Sequence, residues 1–294
     1  MSPPNLLGPS DVRALCARLD LRPAKALGQN FVVDSGVVSR IVRLAELPGP
    51  TGDAAVDAGT QVLEVGPGLG SLTLALLTAG HTVTAIEIDP VLARQLPLTV
   101  AERAPEYTGR LRVVTANALA LRELPSEPGP PTAMVANLPY NVAVPVLLTY
   151  LERFDCLTRA LVMVQAEVGA RLAAPPGSRT YGAPSAKLAW WAKARLVGTV
   201  ARNAFFPVPR VDSALVLVER RPPPDDQVGY RAVSAVIEAA FAQRRKTLRA
   251  ALASLAGSAP QAEAVLRAAG IDPSLRGERL GIDDFARLAR HFNE

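Results

Sequence analysis

Between Gln61 and Arg220 short apolar runs alternate with amphipathic stretches, and this alternation narrows the possible folds more than any other feature of the chain. QVLEV, LTLALLTAG, TVTAIEID, PVLARQLPLTV, LRVVTANAL, AMVANLPY, PVLLTYLERF, RALVMVQAEVGARL, AKARLVGTV and SALVLVER follow one another in this way. Such a pattern predicts an α/β domain with a largely parallel sheet. The run RRPPPDD at 220–226 stops it, because consecutive prolines continue neither a strand nor a helix. Beyond it, Val233, Val236, Ile237, Ala240 and Phe241 fall on one face of a helix that continues through FAQRRKTLRAALASL. Two more helical stretches follow, around AEAVLRAAG and IDDFARLARHF. The expected organisation is an α/β domain over 1–221, with helical segments in 11–47 and a connector between Pro48 and Gly59. A small all-α domain over 222–294 completes it.

Composition excludes several chemistries. His81 and His291 are the only histidines, which argues against a Ser-His-Asp site or a histidine-rich zinc site. Cys16 and Cys156 stand in no metal-ligand spacing, so no metal is expected and two free thiols in a reducing compartment are. No apolar stretch approaches the ~18 residues of a membrane span, and the first twenty residues do not read as a secretory signal. A cytoplasmic, monomeric protein without membrane contact is the expectation. The net charge of +5 points to a polyanionic partner only mildly. Lysine occurs only at Lys25, Lys187, Lys193 and Lys246, and the arginine excess reads equally as genomic base composition or as selection for binding.

In VLEVGPGLGSLTLALL an apolar strand runs through a glycine turn into a helix. Gly66, Gly68 and Gly70 let the backbone turn sharply and a ligand approach it. Such a loop is shared by many nucleotide-binding folds and also occurs as a ligand-free turn. Two details favour a ligand. Glu87 ends the next strand, where an acid binds ribose hydroxyls. The turn G-P-G-L-G also departs from the G-x-G-x-x-G that seats a pyrophosphate on a helix N-terminus. A cofactor with adenosine and ribose but no phosphate fits, and S-adenosylmethionine is such a cofactor. Gly66, Glu87, Asn117 and Asn137 each follow a strand-like run, so they converge at the carboxyl edge of the sheet.

AMVANLPYNVAVPVL places Asn137-Leu138-Pro139-Tyr140 at a strand end. The tetrapeptide resembles the N-[LI]-P-Y motif of amino-group DNA and RNA methyltransferases. ALGQNFVVD, LEVGPGLGSLT, VANLPYN, RLAAPPGSRTYG, AFFPVPRVDSALV and FAQRRKTLR follow in order over most of the chain. Together they are similar to the KsgA/RsmA family of 16S ribosomal RNA adenine dimethyltransferases. The resemblance implies a class I (Rossmann-like) S-adenosylmethionine-dependent fold and N6,N6-dimethylation of two adjacent adenosines in a hairpin near the 3′ end of 16S RNA in the small ribosomal subunit. It implies that Asn137 and the Leu138 carbonyl accept the target amine, that Pro139 fixes the turn, and that Tyr140 and Phe205 stack on the adenine. It also implies that Asn30 and the Val32 backbone close over the cofactor, that Gly66, Gly68 and Asn137 line it, that Glu87 takes its ribose and that Asn117 takes its adenine amine. The family has aspartate where Asn117 stands, which puts cofactor affinity in question.

Arg244, Arg245, Lys246 and Arg249 form a basic cluster expected to meet RNA phosphates, with Arg171, Arg179, Arg202 and Arg210 as weaker candidates. A solvated charged face is the alternative for all of them. Two other functions stay open: an Erm-type methyltransferase acting on large-subunit RNA, and a non-catalytic assembly factor on the same fold.

Overall fold

The structure, a computed structural model, describes residues 6–21, 29–49, 59–125, 129–225 and 227–293. Most of the connector expected after Pro48, and the start of the ALGQNFVVD phrase, lie outside these residues. Contacts divide the chain into two compact units, Met1–Gly169 with Arg195–Glu219, and Ala170–Ala194 with Arg220–Glu294.

In the first unit, helices α1 (Pro9–Arg18) and α2 (Ser35–Leu44) flank the two-residue strand β1 (Phe31–Val32). Asp34 caps α2 by accepting the Val37 N–H at 3.0 Å. The α/β stretch follows as β2 (Gln61–Val65), α3 (Ser71–Thr78), β3 (Thr82–Glu87), α4 (Pro90–Arg103), β4 (Leu111–Thr115) and β5 (Ala133–Asn137). Next come α5 (Ala143–Arg153), β6 (Arg159–Gln165), α6 (Ala166–Leu172), and, after an interval, β7 (Ala192–Val200), β8 (Phe205–Phe206) and β9 (Ser213–Arg220).

Among the described residues, seven strands form one sheet in the order β4-β3-β2-β5-β6-β9-β7. The pairs β2–β3, β2–β5, β3–β4 and β5–β6 are parallel, and β9 runs antiparallel to β6. Strands β2, β3, β5 and β6 are buried along almost their whole length. Largely apolar runs are what strands covered on both faces require, and β5 and β6 have them, while β2 and β3 also bury Glu64, Thr82, Thr84 and Glu87. The edge strand β4 is only partly covered. Helix α4 starts on an Asp89 cap, with Pro90 in its first turn and Leu92, Leu96 and Val100 buried at helical spacing. The two strands β1 and β8 pair separately and antiparallel, Phe31 opposite Phe206 and Val32 opposite Phe205.

The second unit contains α7 (Ala183–Trp191), α8 (Tyr230–Ala242), α9 (Leu248–Ala251), α10 (Ala253–Ala256), α11 (Ala259–Ala268) and α12 (Ile282–Asn293). Val233, Val236, Ile237 and Ala240 form the buried face of α8, and Phe241 packs half-buried against Tyr181 and Phe285. The expected boundary near residue 221 assigned residues 170–194 to the α/β domain. In the structure, Tyr181, Ala186 and Trp190 of that segment are buried with Val233, Leu266 and Phe285 in the helical core. The helix expected to continue through FAQRRKTLR also breaks. Residues 243–247 form a turn, and the Leu248 and Arg249 N–H groups donate to Leu275 and Pro273 carbonyls at 2.7 and 3.1 Å. These tertiary hydrogen bonds outweigh the local helical preference.

Gly169 of α6 lies against β9, where an added Cβ would come within 2.7 Å of the Ala214 Cβ and 3.3 Å of Val216. The Ala214 Cβ is fixed to the strand backbone, so it cannot turn aside. Gly169→Ala should destabilise the protein by roughly 1–3 kcal/mol through overpacking, read as a lower urea midpoint. An unchanged midpoint would show that α6 shifts freely on the sheet.

Candidate active site

The order of the sheet creates the site. The chain runs from β2 outward through β3 to β4, then returns to place β5 on the other side of β2. Loops leaving β2 and β5 therefore diverge, and a crevice opens outside the carboxyl ends of the strands. Residues Asn30, Val32, Gly66, Gly68, Glu87, Asn117, Asn137 and Pro139 line the cavity found there.

The glycine loop leaves β2 in a backbone conformation that side chains oppose, with φ of 70° at Gly66 and 58° at Gly68. A Cβ on Gly68 would meet the Phe31 ring at 2.9 Å, so Phe31 of β1 lies directly over the loop. The loop is tied to the end of β3. Glu87 Oε2 accepts the Gly68 N–H at 3.2 Å, and Oε1 accepts the Asp89 N–H at 2.9 Å. Burial raises the Glu87 pKa, and these backbone N–H bonds oppose the rise. Each carboxylate oxygen keeps a further lone pair for a hydroxyl, which suits a ribose.

At the end of β5, the Asn137 Nδ2 donates to the Asn30 carbonyl at 3.0 Å. That bond fixes which way the amide faces, because only nitrogen can donate to a carbonyl. The Leu138 N–H donates to the Met163 carbonyl at 3.1 Å, and the Val142 N–H donates to that of Pro139 at 3.1 Å, so the tetrapeptide is held at both ends. Tyr140 is half-buried and its hydroxyl lies 2.9 Å from Ser213 Oγ; burial raises its pKa.

Asn117 lines the cavity, yet its Oδ1 also accepts the Leu119 N–H at 3.0 Å, capping the short turn that follows β4. The oxygen expected to meet a cofactor adenine therefore already has one partner. Phe205 requires a correction. It was expected to present a ring face to the adenine, but it is 2% exposed and packed in the hydrophobic core with Val32 and Leu215. A ring enclosed in this way has no open face for a base.

The basic cluster is divided. Arg244 donates to the Arg179 and Tyr181 carbonyls at 2.6 and 3.0 Å and pairs with Glu278 at 3.3 Å. Arg249 pairs with Glu263 at 2.8 Å. Arg245 and Lys246 are exposed on the turn. Among the described residues there is no group of three or more potential metal ligands, and no helix is long and apolar enough to cross a membrane. Cys16 and Cys156 form no disulfide.

One lining residue was missed by the sequence reading. Glu64 is fully buried in β2, accepts the Thr73 hydroxyl at 2.6 Å, and lines the cavity. Burial, with Glu87 nearby, pushes its pKa up to about 8. The signal was a carboxylate inside the apolar run VLEV, since an acid is buried only at a cost that something else must offset.

A sheet of this order, with its cavity where β2 and β5 part and ribose-type acceptors beside it, places the chain among the class I S-adenosylmethionine-dependent methyltransferases. The sequence profile of the ribosomal RNA adenine dimethylases matches residues 22–294, and the chain belongs to that family. It is 60% identical over 286 residues to ribosomal RNA small subunit methyltransferase A of Thermobifida fusca, covering 97% of this chain and 96% of that one. It is likewise 60% identical over 287 residues to the protein of that name from Kineococcus radiotolerans, covering 98% and 92%. A crystal structure of a dimethyladenosine transferase from Plasmodium falciparum superposes with a TM-score of 0.71 at 22% identity, covering 88% of this chain and 96% of that one. That of the 23S rRNA methyltransferase ErmE gives 0.62 at 25% identity, covering 90% and 100%.

The Glu64 carboxyl titrates near 4.5 when unfolded and near 8 in the fold. Between those values the folded chain holds a proton that the unfolded chain has released. Its contribution to stability is therefore full at low pH and lost as pH rises through about 8. Relative to Glu64→Gln, which cannot ionise, the wild type should lose stability between about pH 5 and pH 8. Urea midpoints of the two proteins at both pH values test this; a constant gap between them would refute it.

Proposed function

We propose that this chain transfers methyl groups from S-adenosylmethionine to N6 of adenosines in ribosomal RNA. Its substrate is the pair of adjacent adenosines in a hairpin near the 3′ end of 16S RNA, within the small ribosomal subunit, and each is dimethylated by a monomeric enzyme. The name shared by the 60%-identical relatives supports the small subunit as the partner. The orientation of Asn137 carries the chemistry.

An exocyclic amine of adenine is a poor nucleophile, because its lone pair is delocalised into the ring. When bound, S-adenosylmethionine supplies a methyl group on a sulfonium, an electrophile that needs a nitrogen lone pair in line with it. With Nδ2 committed to the Asn30 carbonyl, Oδ1 is the Asn137 atom left to accept an N–H of the target. The Leu138 carbonyl accepts the other. Two acceptors held in this way favour a pyramidal nitrogen with its lone pair directed away from the ring. Pro139 fixes the turn between them. This is positioning and electrostatic preorganisation, and it needs no strong base. His81 is buried just before β3, where Nδ1 accepts the Thr60 N–H at 3.3 Å. The proton leaves only after the nitrogen has gained the methyl group and become acidic.

Tyr140, steadied through Ser213, stacks on the extruded base, a contact worth ~1–3 kcal/mol. Glu87 takes the cofactor ribose, Asn30, Val32, Gly66 and Gly68 enclose its remaining length, and Asn117 takes the adenine. Arg245 and Lys246 add phosphate contacts on the second unit.

The deciding experiment is transfer of labelled methyl groups to unmethylated small ribosomal subunits, with large subunits in parallel and the product nucleoside identified by mass spectrometry. Dimethyladenosine in small-subunit RNA is expected. Label confined to large subunits would move the chain to the Erm-type reading. Asn137→Ala should lower kcat by at least about 100-fold and shift the cofactor Kd by less than about tenfold. Glu87→Ala should weaken cofactor binding by about 10- to 100-fold, the loss of charge-assisted hydrogen bonds. Wild-type turnover by Asn137→Ala would remove that side chain from the reaction.

A further inference from the structure

The segment from Arg202 to Asp212 is a closed loop beside the tetrapeptide. The Arg202 N–H donates to Asp212 Oδ1 at 3.0 Å, and the Asp212 carbonyl accepts the Ala166 N–H at 2.9 Å. The next residue, Ser213, is the one that meets the Tyr140 hydroxyl at 2.9 Å. The loop is thus fastened to the ring assigned to the target base. At its base, Phe205 and Phe206 pair with β1, which lines the cofactor cavity.

Its outer part is apolar and cationic at once. Val208 is 61% exposed and Val211 44%. A lone exposed valine is ordinary, but these two flank Arg210 on one short loop, and Pro207 and Pro209 fix the backbone on either side of Val208. Arg202 and Arg210 are both exposed, and among the described residues neither guanidinium takes part in an ion pair. Arg244 and Arg249, by contrast, each face a glutamate.

An adenosine stacked in a hairpin cannot reach an amine site recessed at a sheet edge, so it must leave the stack. Its departure exposes the faces of its neighbours to water and leaves a gap. Proteins that unstack nucleic acid commonly fill such a gap with a small apolar wedge, while cations neutralise the adjoining phosphates. We propose that the 202–211 loop performs both tasks for the RNA beside the target adenosine. Val208 and Val211 enter the gap, and Arg202 and Arg210 hold the flanking phosphates. The proposal rests on the reading of Asn137–Tyr140 as the target site. It draws on the charge of the loop and its continuity with Tyr140.

The test uses the full chain, unmethylated small subunits, and a deproteinised RNA hairpin carrying 2-aminopurine next to the target adenosine. Arg202→Gln with Arg210→Gln should raise KM at least about tenfold and reduce the salt dependence of RNA binding by a slope of roughly 1.4–1.8. Its kcat and cofactor Kd should remain those of the wild type. Val208→Ser with Val211→Ser should lower kcat more than it alters KM and abolish the fluorescence rise that reports unstacking. A purely structural role would not produce that split. Thermal midpoints exclude unfolding, and if the double serine variant is unstable, Val208→Ala measured in the same way takes its place. Unchanged kinetics and fluorescence in both variants would overturn the proposal. So would weaker binding to intact subunits with unaltered binding to the bare hairpin, which would assign the loop to a ribosomal protein. If the wild type methylates nothing, the proposed function falls, and the hairpin binding and fluorescence still decide the role of the loop.

Discussion

The parallel pairing of β2 with β5 is the constraint on which the site depends. It brings Val62 beside Ala133 and Leu63 beside Met134, strands that are 71 positions apart in the chain. Everything that leaves the carboxyl ends of these two strands is thereby forced into one place. A Cβ on Gly66 would sit 3.6 Å from the Pro139 ring, which shows how closely the glycine turn and the tetrapeptide approach. Hydrogen bonds along this pair are made inside an apolar layer, where an unmade bond costs its full desolvation penalty. The register is therefore strongly held, and the positions of Gly66 and Asn137 are held with it.

A second set of contacts converts an open crevice into a cavity. The pairing of β1 with β8 draws the N-terminal segment across the sheet edge, so that Asn30 receives the Asn137 amide and Phe31 covers the glycine loop. The Ser71 hydroxyl donates to the Val32 carbonyl at 2.7 Å, tying the same segment to the start of α3. Phe205 anchors this arrangement from within the core. Its burial, incompatible with a stacking face, has a positive use: removing a phenylalanine side chain from water stabilises by about 1.5–3 kcal/mol and fixes the short strand that carries the neighbouring loop. One side chain here serves architecture, and the adjacent exposed residues are left to meet a ligand.

What the sequence reveals follows the range over which each signal acts. β2, β3, β4 and β5 lie in the strand-like runs that lead to Gly66, Glu87, Asn117 and Asn137, because strand patterning is read from neighbouring residues. The glycine turn and the buried face of α8 are legible for the same reason. The break after Ala242 is not, since residues 243–247 keep helix-forming character and turn only because carbonyls at 273 and 275 capture the following N–H groups. Nor is the affiliation of residues 170–194, which is decided by where Tyr181 and Trp190 find apolar partners. The division of the basic cluster is equally non-local: nothing in FAQRRKTLR announces that Arg244 will face Glu278 and Arg249 will face Glu263.

The two buried acids at the cavity couple its charge to what it binds. Glu64 and Glu87 both have raised pKa values, with burial as the main cause in each, and the charge of Glu87 contributes to the rise at Glu64. Glu87 is offset by backbone N–H groups on two sides, whereas the interaction that lowers the Glu64 pKa is the single Thr73 hydroxyl. Packing a hydrocarbon at position 64 would remove a desolvation cost of the kind that makes buried ionic groups poor stabilisers. A ligand bringing positive charge changes that balance, because in a low-dielectric enclosure its attraction to a carboxylate is far stronger than in water. The geometry of the glycine turn disfavours a phosphate-bearing cofactor, while Glu64, protonated in the fold at neutral pH, becomes a partner for a cation only as its proton is released. A cation bound beside it lowers that pKa, and S-adenosylmethionine carries a positive charge on its sulfonium.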